Sequence, residues 1–435
     1  MKITIFGVGY VGLTTGACLA HLGHEVLGVD VDQEKIRMLK DGNLPFYEPG
    51  LKELVAKNME KGRLHFTTDL KEAVLFAEVI FNCVGTPCKD DGSADLCYVF
   101  AVAKSIGENL DKYKIIVNKS TVPPGTARET ERIIRENLPK NIEFDVVSNP
   151  EFLREGNAIR AFNFPDKIVI GSNSERPLPA MRKVYSGRLR TYLPLVETDW
   201  ETAEIIKYAN NTFLATKISF INEMANICDR VGADVKMVSM ALGMDYRISP
   251  RFLNPGVGYG GSCFPKDDMA LIATAAQHGY QAKLFQEVDN LNERQKRVLP
   301  GMLKSVFNDD LAGKTLCVLG LSFKPQTSDV REAPSLTIIP ELLAAGARIN
   351  VYDPAALDEA KNHFRDRVSY CRSIEEAAQG SSAILLLTEW DEFRNLDFAD
   401  LRKLMVDTKF FDGRNVYEPE LVKEEGFDYY GIGRR

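Results

Sequence analysis

Residues 2–12 read KITIFGVGYVG, a short β-branched strand that leads into a glycine-rich turn. The GxGxxG pattern occupies residues 7–12, an apolar helical stretch follows it, and the next strand, residues 25–29, ends at Asp30. A lone GxGxxG pattern is a weak signal. Between a strand and a helix, with an acidic residue closing the next strand, it strongly indicates a Rossmann-like dinucleotide-binding domain. We therefore predict that the chain begins with a doubly wound α/β domain.

The same segment predicts the type of dinucleotide. The first turn of a helix that follows such glycines holds a pyrophosphate, and an acid at the position of Asp30 accepts hydrogen bonds from a ribose 2′-hydroxyl. Because a carboxylate there repels a 2′-phosphate, the sequence favours NAD over NADP. A glycine-rich turn without a ligand is the alternative.

Further strands of this first sheet are predicted at residues 78–84, 115–119, 145–147 and 167–170. Each is followed by small, hydroxyl or polar residues, and the carboxyl ends of parallel strands are where α/β sheets bind ligands. Thr86, Thr121 and residues 149–155 are therefore candidates for the cleft. Any one of them alone is better explained by turn chemistry, and it is their recurrence at the same edge that favours a function.

The closing third repeats the alternation, with strands predicted at residues 315–319, 348–353, 382–387 and 410–414. It is predicted to form a second doubly wound domain, without a GxGxxG pattern. Three basic residues there could clamp the phosphates of a second nucleotide or simply face water: Lys324, Arg331 and Arg414.

Between the two sheets, residues 198–231 have apolar residues at helical spacing and predict one long helix. Lys207 and Asn211 are four residues apart on it, so they share a face and could converge on one ligand atom. Such a helix is also a natural dimer surface. The predicted domains are residues 1–197, which bind NAD, 198–300, which form a helical centre, and 301–435.

Residues 256–267, GVGYGGSCFPKD, form a second glycine-rich loop that delivers Cys263 to the start of a helix predicted from Phe264 to His278. A thiol at a helix N-terminus beside Lys266 is expected to have a lowered pKa. Asp267 follows one turn later. The alternative, an inert buried cysteine that ends a loop, gives no reason for four glycines in six residues.

The bulk composition excludes several classes. A net charge of −7 over 435 residues gives no basic surface for nucleic acid or an anionic membrane. The eight cysteines form no CxxC pair, so neither a metal site nor a disulfide scaffold is expected and a reducing cytoplasm fits. The N-terminus mimics a signal peptide, but its glycines interrupt the apolar run and cleavage would destroy the turn. No apolar stretch is long enough to span a bilayer.

Taken together, these segments resemble the UDP-glucose/GDP-mannose dehydrogenase family over essentially the whole chain. The matching segments, in the order of the family, are residues 7–12, Asp30, 47–51 (YEPGL), 120–123, 149–155, 204–211, 256–267 and 323–325. Residues 244–249 and 251–256 are most similar to the bacterial branch that acts on UDP-glucose. The resemblance implies two Rossmann-like doubly wound parallel-sheet domains joined by a long central helix.

It also implies the chemistry. Two NAD molecules would oxidise the C6 alcohol of UDP-glucose to the carboxylate of UDP-glucuronate, a precursor of polysaccharides. Cys263 would capture the aldehyde as a thiohemiacetal, which is oxidised to a thioester and hydrolysed. Lys207 or Asp267 would manage the first proton, Lys207 and Asn211 would stabilise oxyanions, Glu151 would be the base for hydrolysis, and Thr121 would help to position water.

By the same resemblance, the chain would be a homodimer through its central helix. Lys167 departs from the arginine that the family leads us to expect, outside the reacting groups. The residues implied to contact NAD are Gly7, Gly9, Tyr10, Val11, Gly12, Asp30, Lys35, Thr86, Thr121, Glu155, Lys266 and Arg331. Those implied to contact the UDP-sugar are Phe152, Leu153, Lys207, Asn211, Arg247 (reaching the site of a partner subunit), Phe252, Gly258, Tyr259, Gly260, Gly261, Lys324 and Arg414.

Three rival functions remain open. A sister enzyme would oxidise GDP-mannose or a UDP-N-acetylhexosamine with the same catalytic set. A one-step dehydrogenase of the 6-phosphogluconate or hydroxyacid type would not need Cys263. A non-catalytic NAD-sensing or scaffold protein would have no use for Lys207, Asn211, Cys263 and Asp267 together.

Overall fold

A computed structural model of the chain describes residues 1–186 and 194–434. The chain folds into two compact units. The first comprises Met1–Asn210 and Met269–Tyr280, and the second comprises Asn211–Asp268 and Gln281–Arg435.

The first unit is built on an eight-stranded sheet. Its strands are β1 (Lys2–Phe6), β2 (Glu25–Val29), β3 (Leu64–Thr67), β4 (Val79–Asn82), β5 (Lys114–Asn118), β6 (Phe144–Ser148), β7 (Ile168–Gly171) and β8 (Leu195–Thr198). The strand order is β3-β2-β1-β4-β5-β6-β7-β8, so the first six strands have the 3-2-1-4-5-6 order of dinucleotide-binding folds. All the pairings are parallel except that of β6 with β7, which is antiparallel and joins Ser148 to Gly171.

Helices cover both faces of this sheet. They are α1 (Tyr10–His21), α2 (Gln33–Lys40), α3 (Leu51–Glu60), α4 (Leu70–Phe76), α5 (Cys97–Asn109), α6 (Thr126–Glu136), α7 (Ala158–Asn163) and α8 (Leu178–Ser186). Central strands such as β4 and β5 are buried along their whole length, because two separate apolar cores pack against the two faces.

Two helices run through the points where the chain passes between the units. These are α9 (Trp200–Val231), which is 32 residues long, and α11 (Phe264–Gln277). The helix α10 (Val235–Met244) lies between them in sequence.

The second unit has a six-stranded, entirely parallel sheet. Its strands are β9 (Thr315–Leu319), β10 (Arg348–Tyr352), β11 (Ser369–Tyr370), β12 (Ala383–Leu386), β13 (Lys409–Asp412) and β14 (Asp428–Gly431), in the order β11-β10-β9-β12-β13-β14. The remaining helices are α12 (Lys283–Gln295), α13 (Val298–Val306), α14 (Ser335–Ala344), α15 (Leu357–Phe364), α16 (Ile374–Ala378), α17 (Phe398–Leu404), α18 (Pro419–Glu424) and a 3₁₀ turn at Asp391–Arg394. This sheet also has the 3-2-1-4-5-6 order.

The predicted fold class is confirmed: the protein has two Rossmann-like α/β domains and a long central helix. The antiparallel β6–β7 pairing is a local departure from an all-parallel first sheet. Across residues 1–186 and 194–434, no helix is both long and apolar enough to cross a membrane.

Candidate active site

The glycine-rich turn of the first unit leaves the start of α1 open. A Cβ atom at Gly12 would collide with the carbonyl oxygen of Gly7, so the turn requires glycine there. No side chain caps the helix at Gly9, and a Cβ placed on Gly9 would meet no atom within 4 Å. The start of α1 therefore has no side-chain cap and leaves room beside Gly9, as a pyrophosphate site requires.

Asp30 follows β2 directly beside this turn. Its carboxylate accepts a hydrogen bond from the backbone N–H of Val8 at 3.1 Å and forms an ion pair with Lys35 Nζ at 3.0 Å. A carboxylate at this position suits a ribose hydroxyl. The turn, the helix start and Asp30 together fit NAD.

Thr86 and Thr121 lie at the carboxyl edge of the same sheet, as their positions after β4 and β5 predict. The Thr86 hydroxyl donates a hydrogen bond to the Thr121 carbonyl oxygen at 2.9 Å, and both residues are buried. This bond fixes the turn after β5 against the turn after β4.

Glu151 and Lys207 form a buried ion pair in the first unit. Their charged atoms are 3.0 Å apart, with about 7% and 4% of their side chains exposed. Burial alone would raise the pKa of Glu151, but the charge and hydrogen bond of Lys207, the N–H of Leu153 and the charge of Lys119 together lower it. Lys207 Nζ also lies 5.3 Å from the centre of the Phe152 ring. Glu151 is therefore an ionised carboxylate at neutral pH.

In the second unit, Asp267 is held between two donors. Asn211 Nδ2 donates to Asp267 Oδ2 at 2.7 Å, and Lys266 Nζ is 2.6 Å from Oδ1. Asp267 is almost fully buried. Asn211 follows Lys207 by one turn of the continuous helix α9.

Cys263 comes directly before the first residue of α11. Its carbonyl oxygen accepts the N–H of Asp267 at 2.9 Å, which begins the helix, and its half-buried Sγ lies 3.6 Å from the Ser262 hydroxyl. Cys263 therefore lies at the helix N-terminus, as the sequence predicts, and the lowered pKa of its thiol stays a prediction.

The glycine loop that carries Cys263 is held by amide side chains of the second unit. Asn292 accepts the N–H of Tyr259 at 2.9 Å and donates to its carbonyl at 3.0 Å. Gln295 donates to the Gly256 carbonyl at 2.8 Å, and Asn222 accepts the Gly256 N–H at 2.9 Å. The loop is thereby fixed from α9 and α12.

Close packing explains the last glycine of the loop. Gly261 has a φ of +90°, and a Cβ there would come within 2.7 Å of the Phe323 ring. Its N–H donates to the carbonyl of Arg331 at 2.8 Å. Gly258, Tyr259 and Gly260 precede it along the same loop.

Arg414 contacts this loop through its guanidinium group. It donates to the carbonyl oxygens of Leu387, Gly258 and Phe323 at 2.7, 3.2 and 3.2 Å, and Nε lies 3.3 Å from Glu389. The group thus fixes the loop to the carboxyl edge of β12 and the turn after β9.

The remaining predicted contacts of the second unit are more dispersed. Arg247 forks to Asp245, with 74% of its side chain exposed, and Arg331 forks to Asp329. Lys324 Nζ lies over the Phe323 ring at 5.2 Å. Phe252, whose φ is +64°, packs near Phe264.

Three buried carboxyl groups near these residues were not predicted as site residues. Glu48 bonds to Tyr10, Glu204 accepts the N–H groups of Gly125 and Ala127, and Asp268 accepts the Tyr259 hydroxyl. Burial, before any other cause, raises the pKa of both Glu204 and Asp268 to about 7. Glu204 could have been found as an acid within the apolar pattern of α9, and Glu48 could have been found from the segment YEPGL.

Comparisons with known proteins agree along the whole chain. Models of the UDP-glucose/GDP-mannose dehydrogenase family match its NAD binding domain at residues 1–188, its central domain at 201–294 and its UDP binding domain at 317–419. The chain is 46% identical over 437 residues to a UDP-glucose 6-dehydrogenase of Rhizobium meliloti (strain 1021), covering 100% of both proteins.

Two solved structures give the same result. A UDP-glucose dehydrogenase from Pyrobaculum islandicum has a TM-score of 0.93 at 36% identity, covering 100% of this chain and 98% of that one. A UDP-D-ManNAc dehydrogenase from Pyrococcus horikoshii has a TM-score of 0.87 at 26% identity, covering 100% and 99%. NAD is the cofactor, and its domain holds the open turn and Asp30. The chain is an NAD-dependent dehydrogenase that belongs to the UDP-glucose/GDP-mannose dehydrogenase family.

Proposed function

We propose that the protein oxidises the C6 alcohol of UDP-glucose to the carboxylate of UDP-glucuronate in two steps, through a covalent intermediate on Cys263. The observation that carries the substrate is the 46% identity to a UDP-glucose 6-dehydrogenase over the full length of both chains. The UDP-D-ManNAc dehydrogenase, at 26% identity, is a more distant relative. The alternative is the same chemistry on GDP-mannose or a UDP-N-acetylhexosamine.

NAD, when bound, accepts a hydride at each of the two oxidations, so each sugar consumes two NAD. Residues of the turn at 7–12, Asp30 and Lys35 would hold it. Thr86, Thr121, Glu155, Lys266 and Arg331 are proposed as further contacts by family resemblance.

The residues that contact the reacting carbon would be Cys263, Lys207 and Asn211. In the first oxidation, Lys207 or Asp267 manages the alcohol proton through a water molecule: Lys207, an ammonium group paired with Glu151, orders the water, and the Asp267 carboxylate accepts the proton. Cys263 Sγ then adds to the aldehyde and forms a thiohemiacetal, which retains the reactive carbonyl. Lys207 and the Asn211 amide donate to the oxyanion at each tetrahedral stage.

Glu151 completes the reaction. Oxidation of the thiohemiacetal gives a thioester, and water must attack its carbonyl carbon to release the acid. Because the pKa of Glu151 is lowered, its carboxylate is ready to accept the proton of that water. Thr121 is proposed to position the water.

The UDP-sugar would be held by Phe152, Leu153, Phe252, Lys324, Arg414 and the loop at residues 258–261. Of these, Arg414 and the loop are already joined by a hydrogen bond to the Gly258 carbonyl. We propose that Arg414 acts on the substrate mainly by fixing this loop.

We also propose a homodimer formed through α9. Phe213, Phe220 and Ile227 follow one another at intervals of seven residues, and 64%, 49% and 44% of them are exposed. Residues seven apart lie on one face of a helix, so α9 presents an apolar stripe that a second copy would bury. A cytoplasmic location stays a prediction.

The stoichiometry of NADH tests this function. UDP-glucose, GDP-mannose and UDP-N-acetylhexosamines are offered in parallel, and NADH is measured per sugar consumed. We expect two NADH per UDP-glucose and UDP-glucuronate as the product. Cys263→Ala is expected to lose this activity, whereas Cys97→Ser, at an exposed cysteine, serves as the matched control. One NADH per sugar with a released aldehyde would overturn the role of Cys263, and turnover of another sugar alone would overturn the substrate.

A further inference from the structure

The segment YEPGL, residues 47–51, matches the family but has no part in the proposed chemistry. It follows α2 and runs into α3, whose first residue is Leu51, and its acid, Glu48, is only 4% exposed. An ionised carboxylate is rarely buried unless several donors compensate for the loss of water. The question is which donors surround Glu48.

Three donors converge on the Glu48 carboxylate, all within the first unit. The Tyr10 hydroxyl donates to Oε2 at 2.5 Å, the Gly156 N–H donates to the same oxygen at 2.6 Å, and the Ala158 N–H donates to Oε1 at 2.7 Å. Burial and the negative charge of Glu48 raise the pKa of Tyr10 far above its ordinary value, so the phenol is the donor.

These donors belong to two different functional segments. Tyr10 is the first residue of α1 and lies within the dinucleotide turn at residues 7–12, and its ring also packs on Phe46 at 5.0 Å. Gly156 follows residues 149–155, which include Glu151 and Glu155, and Ala158 begins α7. Gly156 is 108 residues away from Glu48 in sequence.

We propose that Glu48 is a positioning residue that holds the segment with Glu151 in register with the dinucleotide turn. Capping of the short helix α7 would explain the bond to Ala158 alone. It does not explain why Oε2 of Glu48 accepts both the Tyr10 hydroxyl and the Gly156 N–H. These two bonds join the two segments at one atom. The part of the inference that concerns Glu151 rests on the proposed function.

The variant Glu48→Gln tests this inference with little change of shape. A glutamine keeps one acceptor oxygen and turns an NH2 group toward a donor, so at least one of the three donors loses its partner. Tyr10→Phe removes only the bond to the turn. The matched control is Glu53→Gln, the same change at an exposed site on α3.

The expected results separate the two segments. Tyr10→Phe raises the KM for NAD about three- to tenfold, because it disturbs the turn. Glu48→Gln raises the same KM and also lowers kcat by roughly tenfold or more, because Glu151 is displaced as well. Tyr10→Phe adds less on the Glu48→Gln background than alone, since the two share one bond.

The kinetic constants are divided by the number of active sites, which is counted as the amount of Cys263 that iodoacetamide alkylates. Thermal unfolding is followed in parallel. Wild-type KM and kcat per site in a folded Glu48→Gln would overturn the inference, as would an effect on thermal stability alone. If Glu48→Gln fails to fold, the inference stands or falls on Tyr10→Phe, for which an unchanged KM overturns it. The affinity for NAD, measured without sugar, tests the effect of Glu48 on the turn. This test does not depend on how many NADH the wild type makes per sugar, so a failure of the proposed function is distinguished from a failure of this inference.

Discussion

At the scale of single residues, the ion pair of Glu151 with Lys207 decides what Glu151 can do. A base that activates water must be ionised at the working pH, and Lys207 keeps the pKa of Glu151 low despite burial. In the proposed mechanism, the pair would therefore meet two needs: Glu151 would supply a carboxylate that can take a proton, and Lys207 would supply a cation for the oxyanion.

We expect Glu151→Gln to separate oxidation from hydrolysis. The amide cannot take the proton of water, so steady-state turnover should fall by about a hundredfold or more. A rapid burst of NADH should remain, because the oxidations do not need this base. Rapid-quench kinetics measures the burst, and mass spectrometry of acid-quenched protein detects the thioester on Cys263. Loss of the burst in step with turnover would show that Glu151 acts before hydrolysis.

Asp268 is a second buried acid, beside Asp267, and its carboxylate accepts the Tyr259 hydroxyl at 3.1 Å. Burial, with the nearby charges of Asp267 and Asp289, raises its pKa to about 7. The folded protein thus holds a proton that the unfolded chain loses at its ordinary pKa of 3.8. The stability from this proton is full below that ordinary pKa and falls as the pH rises toward 7.

Asp268→Asn should therefore gain stability relative to the wild type as the pH rises. The neutral amide can still accept the Tyr259 hydroxyl without burying a charge. We expect the free energy of unfolding of the variant, minus that of the wild type, to increase by roughly 2–3 kcal/mol from about pH 5 to about pH 8. Urea unfolding at both pH values measures the difference. A difference that is constant or decreases with pH would contradict the raised pKa.

At the scale of elements, the conformation of the glycine loop that carries Cys263 depends on α12. Asn292 is buried and satisfies both the N–H and the carbonyl of Tyr259. Its partners are backbone groups of a loop that has no regular structure, so this side chain replaces the pairing that a strand would supply.

Asn292→Ala should loosen the loop and displace Cys263. Two buried backbone groups lose their partners, which we expect to cost about 2–4 kcal/mol of stability. We expect kcat to fall by about tenfold or more, because misplacement of a reacting group is costly. Asn290→Ala, at an exposed position of the same helix, is the control. Thermal unfolding and the rate of Cys263 alkylation measure the two effects, and wild-type values for both would contradict this role.

Elements with a local sequence pattern could be predicted, whereas contacts between residues distant in sequence could not. The strand β1, the glycine turn and the helix after Cys263 follow from local patterns, and each is found within a few residues of its predicted bounds. The partners of Asn292 and Glu48 could not be predicted, because their donors lie far away in sequence and leave no periodic signal. Short strands such as β11, of two residues, exist only through pairing with their neighbours.

At the scale of the whole molecule, the two Rossmann-like domains use one feature in two ways. Asp30 and Asp353 both follow the second strand of their sheet. Asp353 is 1% exposed and accepts the N–H groups of Leu321 and Ala355 and the Trp390 indole, so its own turns occupy it. Asp30 keeps 11% of its side chain exposed beside the open turn of α1. This difference, together with the absence of a GxGxxG pattern from the closing third of the sequence, distinguishes the first domain from the second, although an aspartate follows the second strand in both.

The apolar stripe of α9 leads to a prediction about assembly. Phe220→Glu places a charge in the middle of the stripe and should convert the proposed dimer to a monomer, because a charge without a partner is costly in an apolar interface. Leu421→Glu, which likewise replaces an exposed apolar residue with a charged one but on α18, is the control. Light scattering after size-exclusion chromatography measures the mass, and an unchanged mass for Phe220→Glu would exclude this face as the interface.

A subunit-mixing experiment then decides whether the dimer forms part of the site. Arg247 follows α10, pairs only with its neighbour Asp245 among the ion pairs described, and has 74% of its side chain exposed. If it serves the site of a partner subunit, Arg247→Ala and Cys263→Ala are each inactive alone. In a mixed dimer, however, one site receives both an intact Cys263 and an intact Arg247. Random exchange makes half of the dimers mixed, and half of their sites intact, so about a quarter of the wild-type activity should return. If Arg247 serves its own subunit, every site in the mixture lacks one of the two residues, and activity stays at the level of the separate variants.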